Sequence, residues 1–259
     1  MNTHAMVMAL ALLISSAHLH AQDTVVIDGA VTDRHGKAVP LCDVIFNPSG
    51  FIADDSLYFK CDANGRYRAE IPAGHYNSLY SLDLPQYAKT QLEFWGWNLQ
   101  LTENQTIDIA FDTIEVYSLA VWASNGGSQS LFAAFRPMHL AAAKLPRLYY
   151  KNVDGTPKAI MDISPTLTKS DIQASIDGEP VVLIDFHWSY EHAGQCSAGK
   201  DSPFSENEPC YMPMIIAQFH KPKLAPGKHL LRVRIQDHLS KEIGEGVTHF
   251  SSNSMGLGF

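Results

Sequence analysis

Residues 26–50 read VIDGAVTDRHGKAVPLCDVIFNPSG, and residues 57–76 read LYFKCDANGRYRAEIPAGHY. Short apolar runs alternate here with turn residues. A strand over 25–31 ends at the turn 32–36. A second over 41–46 ends at Asn47-Pro48-Ser49-Gly50, a strong turn signal. Asn64-Gly65 lies between the alternating runs 57–61 and 66–71, and that setting predicts a β-hairpin. Pro72-Ala73-Gly74 turns again before a run over 76–82. Further strands follow over 91–101, 106–110 and 114–120. Strands at this spacing without helical periodicity predict a β-sandwich or barrel over 24–120.

The cysteines sharpen that expectation. Cys42, Val44 and Phe46 share one strand face, and Leu57, Phe59 and Cys61 share another. Both faces are apolar, so both sulfurs should enter one core. The four cysteines allow three pairings, of which Cys42–Cys61 and Cys196–Cys210 close each half of the chain on itself. Closing loops of this length contributes roughly 3 kcal/mol each in the chain-entropy model. Disulfides persist in oxidising compartments. No Cys-x-x-Cys spacing supports a metal site instead.

Three groups of residues carry a family resemblance: Val31-Thr32-Asp33 with Gly36 and Val39-Pro40, Asp62 with Gly65 and Tyr67, and Pro72 with Gly74 and Tyr76. In order and spacing they resemble the carboxypeptidase regulatory-like domain. That family implies a transthyretin-like β-sandwich, an extracellular setting and a non-catalytic accessory role. It carries no catalytic residue over. The chain departs from the family pattern after Pro40, where it reads Leu41-Cys42-Asp43-Val44.

Working outward, residues 1–21 read as a secretory signal. The run MVMALALLI at 6–14 is a short apolar core, and 15–21 are small residues. The amino-terminal stretch lacks Lys and Arg, and cleavage after Ala17 or Ala21 stays open. The apolar run is too short to span a bilayer. The expected location is a bacterial periplasm or the medium. A net charge of −8 disfavours nucleic acid or an anionic membrane surface as main partner. Hydrophobic residues at 46 % suffice for packed cores.

Residues 121–130 include Ala123-Ser124-Asn125-Gly126-Gly127-Ser128 and read as a linker. Residues 131–259 then form a second, immunoglobulin-like sandwich with at most one short helix, over 137–144. Asp177-Gly178 predicts a second hairpin. Leu231, Val233 and Ile235 face inward while Arg232 and Arg234 face out. The fold class is therefore all-β, two β-sandwich domains in tandem. A long loop over 194–213 is pinned by Cys196–Cys210, and such loops are often functional.

Two places draw a binding hypothesis. Trp95 and Trp97 share one strand face, either as a platform for sugar rings or as core. Leu99 and Leu101 continue that face, and apolar residues on both faces favour burial. Asp185, His187 and Ser189 share one face of a strand, with Val182, Ile184, Phe186, Trp188 and Tyr190 on the other. The second set reads as core and the first as a solvated face. The rival is a ligand site built from His187, Asp185 and Tyr190 beside the pinned loop. A Ser/His/Asp triad is weaker, since no nucleophile elbow is present. The twelve histidines are scattered and show no metal motif within the mature domains, and no cofactor is implied. A copper brace would need a free amino-terminal His18. The acids Asp33, Asp62, Asp237 and Glu245 read as turn residues without calcium-loop spacing.

The leading expectation is an exported, non-enzymatic binding or scaffolding protein, with carbohydrate or an envelope protein as partner. The alternatives are a polysaccharide hydrolase or lyase with its site near His187 and the 194–213 loop, and a surface-assembly component joined through sheet edges. The absence of paired acids in the sequence pattern favours a non-enzyme.

Overall fold

The computed structural model describes residues 23–50, 52–124, 130–196 and 202–252. The stretch read as a secretory signal, with the two expected cleavage positions and His18, lies outside the described residues. The first half holds β1 (Thr24–Asp33), β2 (Asp43–Asn47), β3 (Leu57–Lys60), β4 (Arg66–Pro72), β5 (Gly74–Leu82), β6 (Phe94–Leu101), β7 (Gln105–Thr106) and β8 (Ile109–Phe111). The second holds β9 (Ile114–Ala123), β10 (Ser130–His139), the short helix α1 (Leu140–Lys144), β11 (Arg147–Val153), β12 (Thr156–Asp162), β13 (Ile172–Ile176), β14 (Glu179–Val181), β15 (Leu183–Gln195), β16 (Pro209–His220), β17 (Gly227–Gln236) and β18 (Ile243–Ser252). The chain is all-β, as its alternating pattern predicts.

One eight-stranded sheet, ordered β14-β13-β17-β18-β6-β5-β2-β3, runs through both halves. Strands β1, β4, β7 and β8 pack on its first-half portion. Strands β9, β10, β11, β12, β15 and β16 form a six-stranded sheet against the other portion. Each pairing encloses a separate apolar core. One contains Ile27, Phe46, Leu79, Leu99 and Ile109. The other contains Val116, Phe135, Ile215, Phe219 and Val233. The two sandwiches are fused where β18 pairs in parallel with β6, setting Gly246 opposite Trp95 and Thr248 opposite Trp97. Strand β18 reads IGEGVTHFSS, too poor in apolar alternation to be recognised as a strand. Its glycines admit the facing sheet: a Cβ on Gly244 would stand 2.7 Å from the Ile114 carbonyl oxygen.

Both expected disulfides are present, Cys42–Cys61 and Cys196–Cys210. Cys42, Val44, Phe46 and Cys61 enter one core, with Leu57 and Phe59 packed against it. Asp177 (φ 52°) and Gly178 (φ 89°) form the expected turn between β13 and β14. Leu231, Val233 and Ile235 are fully buried, and Arg232 and Arg234 point to the opposite face.

Several expectations are corrected. The turn at 62–65 is not a hairpin: β3 pairs with β2 and β4 with β1, so the turn crosses between sheets. Asp62 holds it by accepting the Asn64 and Arg66 amides. Strand β9 pairs antiparallel with β10, so residues either side of 124–129 belong to one sheet rather than to separate domains. Pro137 lies in β10 opposite Val116, and the helix starts three residues later, at Leu140. Glu245 is a strand residue held by Arg232 and Arg234, not a turn acid.

Candidate functional site

Strands β11, β12, β16 and β15 present one composite face. The register sets Arg147 opposite Asp162, Tyr149 opposite Ile160 and Lys151 opposite Lys158. It continues from Ile160 to Tyr211, then to His192. Pro213 lies opposite Tyr190, and Ile215 opposite Trp188. Side chains alternate along a strand, so these residues share a face. The reverse face is closed by a small core of Ala159, Cys196, Phe204 and Cys210, with Leu148 and Met161 against it. The Cys196–Cys210 disulfide thus anchors the back of the sheet, while on the front Ile160 and Ile215 are buried and Ile215 joins the second-half core.

A cleft of about 250 Å³ opens beside this face, lined by the rings of Tyr149, Trp188, Tyr190 and Pro213 and by the polar groups of Arg147, Asp162 and Ser164. Asp162 is 8 % exposed, and both its oxygens are engaged. Oδ1 accepts the Ser164 amide at 3.0 Å and the Ser164 hydroxyl at 2.6 Å. Oδ2 accepts Arg147 Nη2 at 2.9 Å and the Tyr149 hydroxyl at 3.5 Å. Lys151 Nζ donates to the Tyr190 hydroxyl at 2.6 Å and lies 4.7 Å from the centre of that ring. Burial, reinforced by Asp162, pushes the Tyr149 phenol well above its ordinary range, so it stays a neutral donor.

Of the sequence candidates, Tyr190 lines this cleft together with Trp188. His187 and Asp185 do not join it. His187 is exposed on the opposite face of β15, and Asp185 accepts the Phe186 amide. A bulge between Leu183 and Asp185 shifts the alternation, so Leu183 faces the core while Val182 and Ile184 are exposed. Strands reach to Gln195 and from Pro209, so the expected loop over 194–213 is shorter than the sequence implied.

Trp95 and Trp97 are brought together, but not as an open platform. Trp95 is 2 % exposed, and the two indoles stack on each other at 4.7 Å. Tyr117 meets both edge-on, at 5.4 and 5.2 Å, and Tyr80 lies 4.6 Å from Trp95. Trp95 is enclosed by other rings, and its stack covers one face of Trp97. Asn98 adopts a left-handed backbone (φ 51°), and past it Leu99 and Leu101 turn to the opposite core, with Phe94.

Beneath Trp95 lies a feature the sequence pattern did not reveal, a pair of acids. Glu115 is 4 % exposed and accepts Trp95 Nε1 at 3.2 Å. Glu93 accepts the Tyr87 hydroxyl at 3.4 Å. Burial, then the neighbouring Glu93 carboxyl, pushes Glu115 well above the carboxylate range, and burial raises Glu93 as well. Neither acid lines the two described clefts. Glu93 flanks Trp95 in the sequence, but its partner is twenty-two residues away and recognisable only from β6 packing on β9.

No protein-family model and no curated protein matches the chain. Solved structures do. A DUF3823 family protein from Bacteroides ovatus is 12 % identical, covers 86 % of this chain and 98 % of its own, and has a TM-score of 0.27. One from Parabacteroides merdae is 12 % identical over 88 % of this chain and 98 % of that one, also with a TM-score of 0.27. The full-length major pilin of Corynebacterium diphtheriae is 8 % identical over 87 % of this chain and 64 % of its own, again at 0.27. Likenesses at these scores carry no argument about function. Among the described residues no helix is long and apolar enough to cross a membrane.

Proposed function

We propose that this chain is an exported bacterial binding protein, not a catalyst, and that its front cleft holds a sugar ring. The observation that carries this reading is the convergence of Tyr149, Trp188 and Tyr190 on one small cleft with polar groups at its rim. Aromatic faces meet the apolar face of a sugar, while fixed polar groups orient its hydroxyls. The one carboxylate lining the cleft spends both oxygens on internal bonds, which supports binding rather than proton transfer. The first-half sandwich, with its resemblance to carboxypeptidase regulatory-like domains, would serve as the mount. Two disulfides suit a periplasmic or secreted setting.

A glycan array with the full chain and Tyr190→Ala tests the reading. Glycan binding that disappears in Tyr190→Ala, with the fold retained, supports it. Polysaccharide cleavage that disappears in His187→Ala would replace it with the envelope-enzyme alternative. Failure to bind any glycan, together with a stable protein partner, would replace it with a scaffold.

A further inference from the structure

Resting on that reading, we infer that the ligand is an anionic polysaccharide, gripped by the paired cations Lys151 and Lys158 beside the cleft. Lys151 and Lys158 stand directly opposite each other across the β11–β12 hairpin. Like charges in that position oppose pairing. Among the described residues neither ammonium forms an ion pair with a carboxylate. Each instead lies over a phenol ring, Lys151 at 4.7 Å from the centre of Tyr190 and Lys158 at 4.6 Å from that of Tyr211. The His192 ring stands 5.5 Å from Tyr211 on the same face.

Arg147, four residues along β11 and so roughly 13 Å from Lys151, is spent on Asp162 and adds no free charge. The only acid on these register positions is Asp162, already neutralised by Arg147. The face is thus locally positive in a chain of net charge −8. A hairpin that sets two lysines side by side without a carboxylate between them favours an external anion there. The rings choose among anions. Lys158 lies over the Tyr211 ring and Lys151 holds the hydroxyl edge of Tyr190, which suits a saturated sugar acid at the edge better than a nucleobase stacked flat. A polymer with acids on successive sugars would seat one ring in the cleft and set a neighbouring acid against the two lysines.

The test is calorimetry on the full chain with four probes: polygalacturonate, a sulfated glycan, neutral galactan and oligothymidylate. The expected result is binding of an acidic glycan that weakens as salt rises. The Lys151→Gln/Lys158→Gln double variant should lose about tenfold, as two exposed charge contacts predict, while its melting temperature holds. The carboxylated and sulfated probes distinguish which acid is preferred. Equal binding of neutral galactan, unchanged in the double variant, would overturn this inference and leave the sugar cleft standing. Tighter binding of oligothymidylate would overturn it in favour of single-stranded nucleic acid. Binding of no glycan would overturn both readings together.

Discussion

The Glu93 and Glu115 carboxyls are neighbours beneath the Trp95 indole, which donates Nε1 to Glu115. Two such groups, desolvated and adjacent, cannot both ionise cheaply, so they titrate as a pair. Both titrate higher in the folded chain than in the unfolded one. Their contribution to stability is therefore complete below the ordinary carboxylate range and is lost as pH rises through the raised folded values. Glu115→Gln keeps an oxygen acceptor for Trp95 and removes the charge. The variant should melt less pH-dependently than wild type between pH 5 and 9. At pH 8 its melting temperature should be higher by about 2 °C or more. Parallel pH profiles of the two proteins would refute the paired-acid account.

His249 sets the opposite limb. It is 2 % exposed, accepts the Gln100 amide on Nδ1 at 2.8 Å and faces the Gln105 amide through Nε2. Burial first, and Lys228 second, depress its pKa to about 4. A histidine held neutral in the fold contributes stability above its unfolded pKa and loses it as pH falls from about 6.5 towards 4. The loss by pH 4 is of the order of 3 kcal/mol. His249→Gln should flatten this acid limb in denaturant titrations while losing about 1 kcal/mol at pH 7 with the Gln100 bond. An unchanged acid limb would assign acid unfolding to other groups.

Asn98 decides which way a strand faces. Its left-handed backbone lets Trp95 and Trp97 stack on one side while Leu99 and Leu101 enter the opposite core. A β-branched residue pays heavily for positive φ, and glycine does not. Asn98→Val should cost about 1–2 kcal/mol and alter tryptophan fluorescence as the indole stack shifts. Asn98→Gly should leave both nearly unchanged. Equal stability of the two variants would show that the strand reaches this register without the left-handed residue.

What could be read in the sequence was local. Asp177-Gly178 announced a hairpin because its turn chemistry sits within a few residues. Cys42 and Cys61 announced a disulfide because each shares a face with apolar neighbours. What escaped was set by partners far along the chain. The parallel pairing of Trp95 with Gly246 depends on a strand, IGEGVTHFSS, whose burial comes from its central place in the sheet rather than from its own hydrophobicity. The same reason hid Glu115, an acid in an otherwise apolar strand. Single-residue irregularities did the rest. Asn98 and the bulge after Leu183 each reverse the alternation, so period-two reasoning assigned Leu99, Val182 and Ile184 to the wrong faces. The cleft itself draws on four strands between Arg147 and Pro213, and only its β15 edge stood out as an aromatic cluster.

The Cys196–Cys210 disulfide separates the stability of the cleft from that of the whole chain. It closes a sequence separation of 14 residues and packs with Ala159 and Phe204 behind the sheet that carries Tyr149, Tyr190 and Lys158. Losing it should relax this layer by roughly 3 kcal/mol in the chain-entropy model. The core around Phe46 and Ile27 lies in the other sandwich and keeps its own disulfide. The Cys196→Ser/Cys210→Ser variant should therefore show early hydrogen exchange in β11, β12 and the 209–213 end of β16. Protection of β1, β2 and β5 should persist, and glycan binding should weaken. Protection lost uniformly across both sandwiches would show that the shared eight-stranded sheet makes the chain one cooperative unit, with no independent layer behind the cleft.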